Sequence, residues 1–160
     1  MKIRVFWFGR SGAAAWDEQV ETYRKLVHHR WPAEDRALKP VAGGRDLDPG
    51  RVLREEARSL DRVLDQGWPL LALDEGGARL SSVGLADLLG ELEERGTPGL
   101  DFVIGSDLGL DPELRKRATH RLSLSPMTLP HRIARLVLWE QIFRATHILA
   151  GGAYHRPGIR

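Results

Sequence analysis

The sequence predicts an α/β domain built on a largely parallel sheet flanked by helices, and three observations carry that expectation. Short apolar runs alternate along the chain with longer segments of helical periodicity. The helical segments open on capping residues, at Asp48-Pro49, Ser82 and Asp111-Pro112. Three apolar runs end abruptly in polar or glycine-bearing loops, at Leu73-Asp74, Ile104-Gly105 and Leu124-Ser125, the kind of position where open parallel sheets hold their ligands.

In chain order, residues 3–8 read as a buried strand closed by Gly9. A helix over residues 13–30 follows, with Trp16, Val20, Tyr23 and Val27 as its apolar stripe and Pro32 as its stop. Residues 36–41 suggest a short strand, and Gly43-Gly44-Arg45-Asp46 a polar loop. Asp48 and Pro49 start a helix whose stripe is Leu53, Ala57, Leu60 and Leu64, with Gly67 ending it. Residues 69–73 form an apolar strand that stops at Asp74-Glu75-Gly76-Gly77. Ser82 then opens a helix with Leu85, Leu88, Leu89 and Leu92 inward and Gly96 behind it. Residues 100–104 make the next strand, Asp111-Pro112 caps another helix, Leu122-Ser123-Leu124 is a brief strand, and Pro130 starts a last helix carrying Ile133, Leu136, Val137 and Phe143. The 160 residues suit one domain without staples. No repeat or linker divides them.

The chain has no cysteine, which excludes a disulfide framework, a thiolate nucleophile and a zinc–cysteine site. A reducing cytoplasm is the natural compartment. The apolar run near the N-terminus is too short for a signal-peptide core and contains Arg4, and no segment approaches membrane-spanning length. The expectation is a soluble, cytoplasmic protein.

Charge is uneven. Residues 111–160 hold nine Lys/Arg against three Asp/Glu, net +6, whereas residues 1–110 hold fifteen against nineteen, net −4. Four of the six histidines, His120, His131, His147 and His155, share the basic part. That asymmetry suits a polyanion-binding face, or equally a solvated basic surface.

Gly105-x-x-x-Gly109 after a strand permits close backbone approach to a ligand but lacks the glycine spacing and the lysine of nucleotide-binding loops. Gly105 itself reads either as a ligand-facing glycine or as a turn residue with positive φ. Ser125-Pro126-Met127-Thr128-Leu129-Pro130 feeding a helix reads as a binding loop. His131 lies in the first turn of that helix, where a positive charge is disfavoured; it is either a substrate-orienting group or a plain surface histidine. Glu140 and Arg144 have the spacing of an intrahelical ion pair. The terminal Tyr154-His155-Arg156 joins a ring that stacks on bases, an imidazole that moves protons and a guanidinium that grips phosphate; a chance tail has the same claim on composition alone.

Taken in order, Val5-x-x-Phe8-Gly9, Phe102-Val103-Ile104-Gly105, Leu124-Ser125-x-x-Thr128-Leu129-Pro130-His131 and Tyr154-His155-Arg156 resemble the ribosomal large subunit pseudouridine N3-methyltransferase family of the SPOUT superfamily, nearly end to end. The resemblance implies a single SPOUT methyltransferase domain over residues 1–160 with a Rossmann-like sheet and a C-terminal trefoil knot. It implies S-adenosylmethionine as cofactor, held largely through backbone groups by Leu73, Asp74, Gly105, Ser106, Ser125, Pro126, Met127, Thr128, Leu129 and Pro130. It implies methyl transfer to N3 of a pseudouridine in the helix 69 loop of 23S rRNA in the assembled ribosome, with His155, Tyr154, Arg144 and Arg156 as catalytic candidates and no metal. A homodimer with its active site at the subunit interface is also implied; Trp139, Ile142 and Phe143 give the last helix more apolar surface than one face needs, or are core residues of the chain itself.

The chain departs from the family pattern at Ser106, where a second glycine is usual, at Ala78, where a lysine is common, and at Gly152-Ala153, where His-Pro usually precedes the tyrosine. These changes leave two other readings: a weakly active or inactive RNA- or ribosome-binding protein on the same fold, and a SPOUT methyltransferase of another RNA site.

Overall fold

A computed structural model of the chain describes residues 1–9, 12, 14–41, 48–152 and 154. In chain order the elements are β1 Lys2–Phe8, α1 Ala14–His28, β2 Ala33–Leu38, α2 Pro49–Asp61, β3 Leu70–Arg79, α3 Ser82–Glu94, β4 Gly99–Ile104, α4 Pro112–Arg117, β5 His120–Ser123 and α5 His131–Leu149. The strands form one sheet in the order β2-β1-β4-β3-β5, parallel at every pairing.

Helices cover both faces of this sheet, so its central strands are buried on both sides, and β4 has no exposed residue at all. The alternation of β1 divides the two cores. Ile3, Val5 and Trp7 pack with Val20 and Val27 of α1, Leu85 and Leu89 of α3, and Leu138, Trp139 and Ile142 of α5. Phe6 and Phe8 point the other way, to Leu60 of α2 and Leu114 of α4. On that second side Arg4 donates two 2.7 Å hydrogen bonds to Asp101 of β4 and lies over the Trp68 ring.

The predicted caps form. Asp48 accepts from the N–H groups of Gly50 and Arg51, and Asp111 from those of Glu113 and Leu114. Ser81, one residue before the expected start, caps α3. Gly96, at φ +73°, ends α3 in a left-handed turn in which its own N–H reaches Glu93 and that of Thr97 reaches Leu92.

Four expectations are corrected. β2 begins three residues before residue 36, because Ala33 to Leu38 pair with Ile3 to Phe8; its polar sequence resembles a loop, yet an edge strand needs only one lined face. In α1, Val20 and Val27 are buried while Trp16 is 41% exposed. The inward residues of α2 are Val52, Glu56 and Leu60, and the helix ends at Asp61, well before Gly67; an acid on the inner face disguises the stripe. In α5 the buried set is Ala134, Arg135, Leu138, Trp139, Ile142, Phe143, Ala145 and Thr146. Trp139, Ile142 and Phe143 therefore belong to this chain's own core and are not surplus apolar surface. Gly43-Gly44-Arg45-Asp46 lies outside the described residues. Among the described residues, no helix is long and apolar enough to cross a membrane.

Candidate functional site: a cleft at the carboxyl ends of β3, β4 and β5

Three loops at the carboxyl ends of β3, β4 and β5 enclose a cleft of about 700 Å³. Its first wall is a bulge. Leu73 and Ala78 of β3 both pair with Leu122 of β5, so residues 74–77 leave the ladder and the strand resumes beyond them. The strand thus runs past the stop that Gly76-Gly77 suggests. Gly77 fits only without a side chain, since a Cβ there would stand 2.7 Å from the backbone of Arg121 and Leu122. Asp74 braces the bulge by accepting from the Gly76 N–H at 3.2 Å, and it faces Arg121 at 3.3 Å and Arg115 at 3.8 Å.

The second wall is the turn after β4. Gly109 donates to the Ser106 carbonyl at 2.8 Å and takes φ +82°. Gly105 has no positive φ; it is glycine because a Cβ would lie 2.3 Å from the Gly109 carbonyl oxygen. The turn-conformation reading of Gly105 therefore belongs to Gly109. The third wall precedes α5: the Ser125 hydroxyl accepts from the Met127 N–H at 2.9 Å, and the Ser125 carbonyl accepts from the Ser123 hydroxyl at 2.9 Å. Across the opening, the Thr128 hydroxyl donates to the Glu75 carboxylate at 3.4 Å, joining the first wall to the third.

Of the residues expected to hold a cofactor, Leu73, Asp74, Gly105, Ser106, Ser125, Met127, Thr128, Leu129 and Pro130 line this one cleft. Pro126 is exposed in the third loop and is not part of the lining. The cleft also includes Glu75, Asp107, Leu108, Arg115 and His131, which sequence reasoning left out of the cofactor set. The Gly76-Gly77 pair was the available signal for Glu75, since paired glycines inside an apolar strand mark a bulge. Leu108 and Met127 stand 49% and 69% exposed on facing loops, offering apolar surface to a flat ring.

His131 is fixed from two sides, 3.2 Å from Asp107 and stacked on Trp7 with ring centroids 6.3 Å apart. Behind it lies a buried ionic network. Arg135 donates to Asp35 at 3.0 and 2.6 Å and to Asp17 at 2.6 Å, and both Trp7 and Trp139 donate their indole N–H to Asp35. The start of α5, one rim of the cleft, is thereby tied to β1, β2 and α1.

The other expected residues lie elsewhere. Arg144 is ion-paired to Glu140 and sits 4.7 Å from the Tyr154 ring centroid. Tyr154 packs edge-on against Phe143 and near His147 and donates to Glu140 at 3.1 Å. Burial, with hydrogen bonding to Tyr23 and Glu140, pushes the Tyr154 phenol up to about 12. Thirteen residues of helix separate His131 from Arg144, about 20 Å at the usual rise. The structure thus groups the cofactor candidates at one end of α5, and Arg144 with Tyr154 at the other. His155 and Arg156 lie outside the described residues. Among the described residues no cluster of three or more His, Asp or Glu is arranged to hold a metal ion.

A parallel sheet with a cleft bounded by glycine-bearing turns at its carboxyl edge places the chain in the class of α/β proteins that offer a ligand-sized site at the strand ends. The comparisons with known proteins narrow it. The family model described as predicted SPOUT methyltransferase matches residues 1–155. A ribosomal RNA large subunit methyltransferase H from Gemmatimonas aurantiaca is 36% identical over 156 residues, covering 98% of this chain and all of the relative. The protein of the same name from Brucella anthropi is 37% identical over 159 residues, 98% of this chain and 99% of the relative. A crystal structure of a methylase family protein from Neisseria gonorrhoeae has the same fold, with a TM-score of 0.57 at 16% identity over 99% of this chain and 88% of that one. The chain belongs to the SPOUT methyltransferase family.

Proposed function

We propose that the protein transfers a methyl group from S-adenosylmethionine to N3 of a pseudouridine in the helix 69 loop of 23S rRNA, on the assembled ribosome in the cytoplasm, as a homodimer of knotted single-domain subunits. The names of the relatives support an rRNA substrate. The observation that carries the composite site is the separation along α5: one chain holds its cofactor loops about 20 Å of helix away from Arg144 and Tyr154. A ligand in the cleft meets the second group only if another copy supplies it, which is the arrangement of a two-fold dimer with shared sites.

The cleft suits the cofactor. Its volume falls in the range of small-molecule sites. Leu73, Leu108, Met127 and Leu129 offer apolar contact for a purine, the loop backbones offer donors and acceptors, and Glu75 and Asp107 suit a ligand carrying positive charge.

Bound S-adenosylmethionine supplies an electrophilic methyl group on its sulfonium. The residues of the chain hold the base and manage its proton. N3 of a neutral pseudouridine is protonated, so its lone pair becomes nucleophilic as that proton leaves. His155 accepts the proton, directly or through a water. Tyr154 keeps its own proton at neutral pH, so it orients the base and does not act as the general base. Arg156 or Arg144 balances charge on the base oxygens. Alignment of the reacting atoms supplies most of the acceleration.

The test is a mixed dimer of one subunit with Thr128→Trp, which fills the cleft from its rim, and one with Tyr154→Ala. Each parent homodimer should fail to methylate ribosomes. The mixed dimer retains one intact composite site of two and should recover about half of wild-type activity, by mass analysis of the modified nucleotide. A mixed dimer no more active than its parents removes the shared site, and methylation at another nucleotide removes the substrate assignment.

A further inference from the structure

The lining of the cleft is unevenly charged. It holds three acids, Asp74, Glu75 and Asp107, and among the described residues Arg115 is its one lysine or arginine. His131, the other basic side chain there, already faces Asp107 at 3.2 Å. S-adenosylmethionine would bring three charged groups to such a site: a sulfonium and an ammonium, which the acids suit, and a carboxylate, which they repel. A carboxylate settling among acids needs a cationic partner with hydrogen-bond donors.

Arg115 is placed to be that partner. The first turn of α4 is fixed, because the Asp111 side chain accepts from the Glu113 and Leu114 N–H groups at 2.9 and 3.2 Å and the Asp111 carbonyl accepts from the Arg115 N–H at 3.0 Å. Leu114 anchors the same turn in the second core. Asp74, whose side chain is 8% exposed, faces the Arg115 guanidinium at 3.8 Å, an ion-pair distance too long for a hydrogen bond. Asp74 has closer partners, the Gly76 N–H at 3.2 Å and Arg121 at 3.3 Å. Arg121 does not line the cleft; it lines a separate groove with Gly77 and Ala78. Two guanidinium groups therefore share one carboxylate, and the one that faces the cleft keeps its hydrogen-bond donors off it.

We propose that Arg115 receives the α-carboxylate of the methyl donor, as a forked hydrogen-bond donor held at the cleft wall by Asp74. The inference rests on the reading of the cleft as the S-adenosylmethionine site. It adds an anchor for the amino-acid end of the ligand, which the apolar residues and the glycine turn do not supply, and it makes the site selective for donors that keep the carboxylate. The sign of the effect separates contact from field. The donor as a whole is a cation, so an arginine acting through its field alone repels it, and removing that arginine tightens binding. Removing a direct partner of the carboxylate weakens it.

The experiment is calorimetric titration of the wild type, Arg115→Gln, Arg115→Lys and Arg121→Gln with S-adenosylmethionine and with its decarboxylated form, at one ionic strength. The Arg115 side chain is 39% exposed, so its replacement leaves the core intact. Arg115→Gln should lower the preference for S-adenosylmethionine over the decarboxylated form on the order of tenfold, through weaker binding of the first and unchanged or tighter binding of the second. Arg115→Lys keeps the charge without the fork and should fall between wild type and glutamine. Arg121→Gln removes the same charge from the other side of Asp74 and should keep the preference within about threefold. Unchanged or tighter binding of S-adenosylmethionine by Arg115→Gln overturns the anchor. Equal losses for the two ligands, or an equal fall in Arg121→Gln, overturn it as well, since either would come from a disturbed cleft wall. Failure of the wild type to bind S-adenosylmethionine overturns the cofactor reading beneath it.

Discussion

Gly105 and Gly109 close the same turn for different reasons: the first leaves room for the carbonyl of the second, 2.3 Å from where a Cβ would stand, and the second takes φ +82°. The neighbour is backbone, so no side chain can move aside. Gly105→Ala should force the turn open, cost about 1–3 kcal/mol of stability and abolish ligand binding in the cleft. Gly109→Ala meets open space but a strained φ, and should cost about 1 kcal/mol with weaker loss of binding. Thermal unfolding and ligand titration of the two variants separate crowding from strain.

The Arg135–Asp35 pair makes a second prediction. Arg135 is 6% exposed and answers two acids, and Asp35 also accepts from two indoles. Asp35→Ala leaves a buried guanidinium half-compensated and two tryptophan N–H groups unmet, and should destabilise by about 3–5 kcal/mol. Asp17→Ala, on the more exposed arm of the network, should cost less. Urea unfolding followed by tryptophan fluorescence measures both.

Much of this architecture is legible in the sequence because capping and periodicity are local. Asp48-Pro49 and Asp111-Pro112 place helix starts to the residue, and the loops after Leu73, Ile104 and Leu124 converge on one cleft because parallel strands put their carboxyl ends side by side. The failures have one cause, long-range compensation. Asp35 hides the start of β2 until Arg135, a hundred residues away, neutralises it. Glu56 hides the inner face of α2, and Arg135 sits among the buried residues of α5. The bulge at residues 74–77 is set by a register with β5 that no local pattern encodes.

Glu56 gives a pH-dependent prediction. Burial raises its carboxyl above the usual carboxylate range; the Ser106 hydroxyl and Val41 N–H oppose this, and the Asp107 charge reinforces it. The folded state therefore binds this proton more tightly than the unfolded chain. Its contribution is whole below the unfolded carboxyl's value of about 4.3 and is lost as pH rises from there through the folded value. Glu56→Gln cannot ionise, so its stability relative to wild type should grow as pH rises from 4 and should vanish as a difference in slope at lower pH. Urea midpoints across that range decide it; parallel curves for the two proteins would mean that Glu56 ionises as freely in the fold as outside it.

Tyr154 makes the last prediction, because its hydroxyl and its ring do different work. Partial desolvation and hydrogen bonding to Tyr23 and Glu140 push the phenol up to about 12, so one tyrosine in an absorbance titration should ionise near that pH and disappear in Tyr154→Phe. Methylation by the wild type should consequently show no loss attributable to tyrosinate until strongly alkaline pH. Tyr154→Phe removes a 3.1 Å bond to Glu140 and keeps the ring against Phe143, so it should cost about 0.5–1.5 kcal/mol. Tyr154→Ala also removes the surface on which a base would stack and uncovers the Arg144–Glu140 pair, adding about 1–3 kcal/mol in RNA recognition. Methylation of ribosomes by the two variants, compared with their binding to an RNA stem-loop, assigns the ring to substrate recognition if only the alanine variant loses RNA affinity; equal losses in both would assign the effect to the hydroxyl and its hold on Glu140.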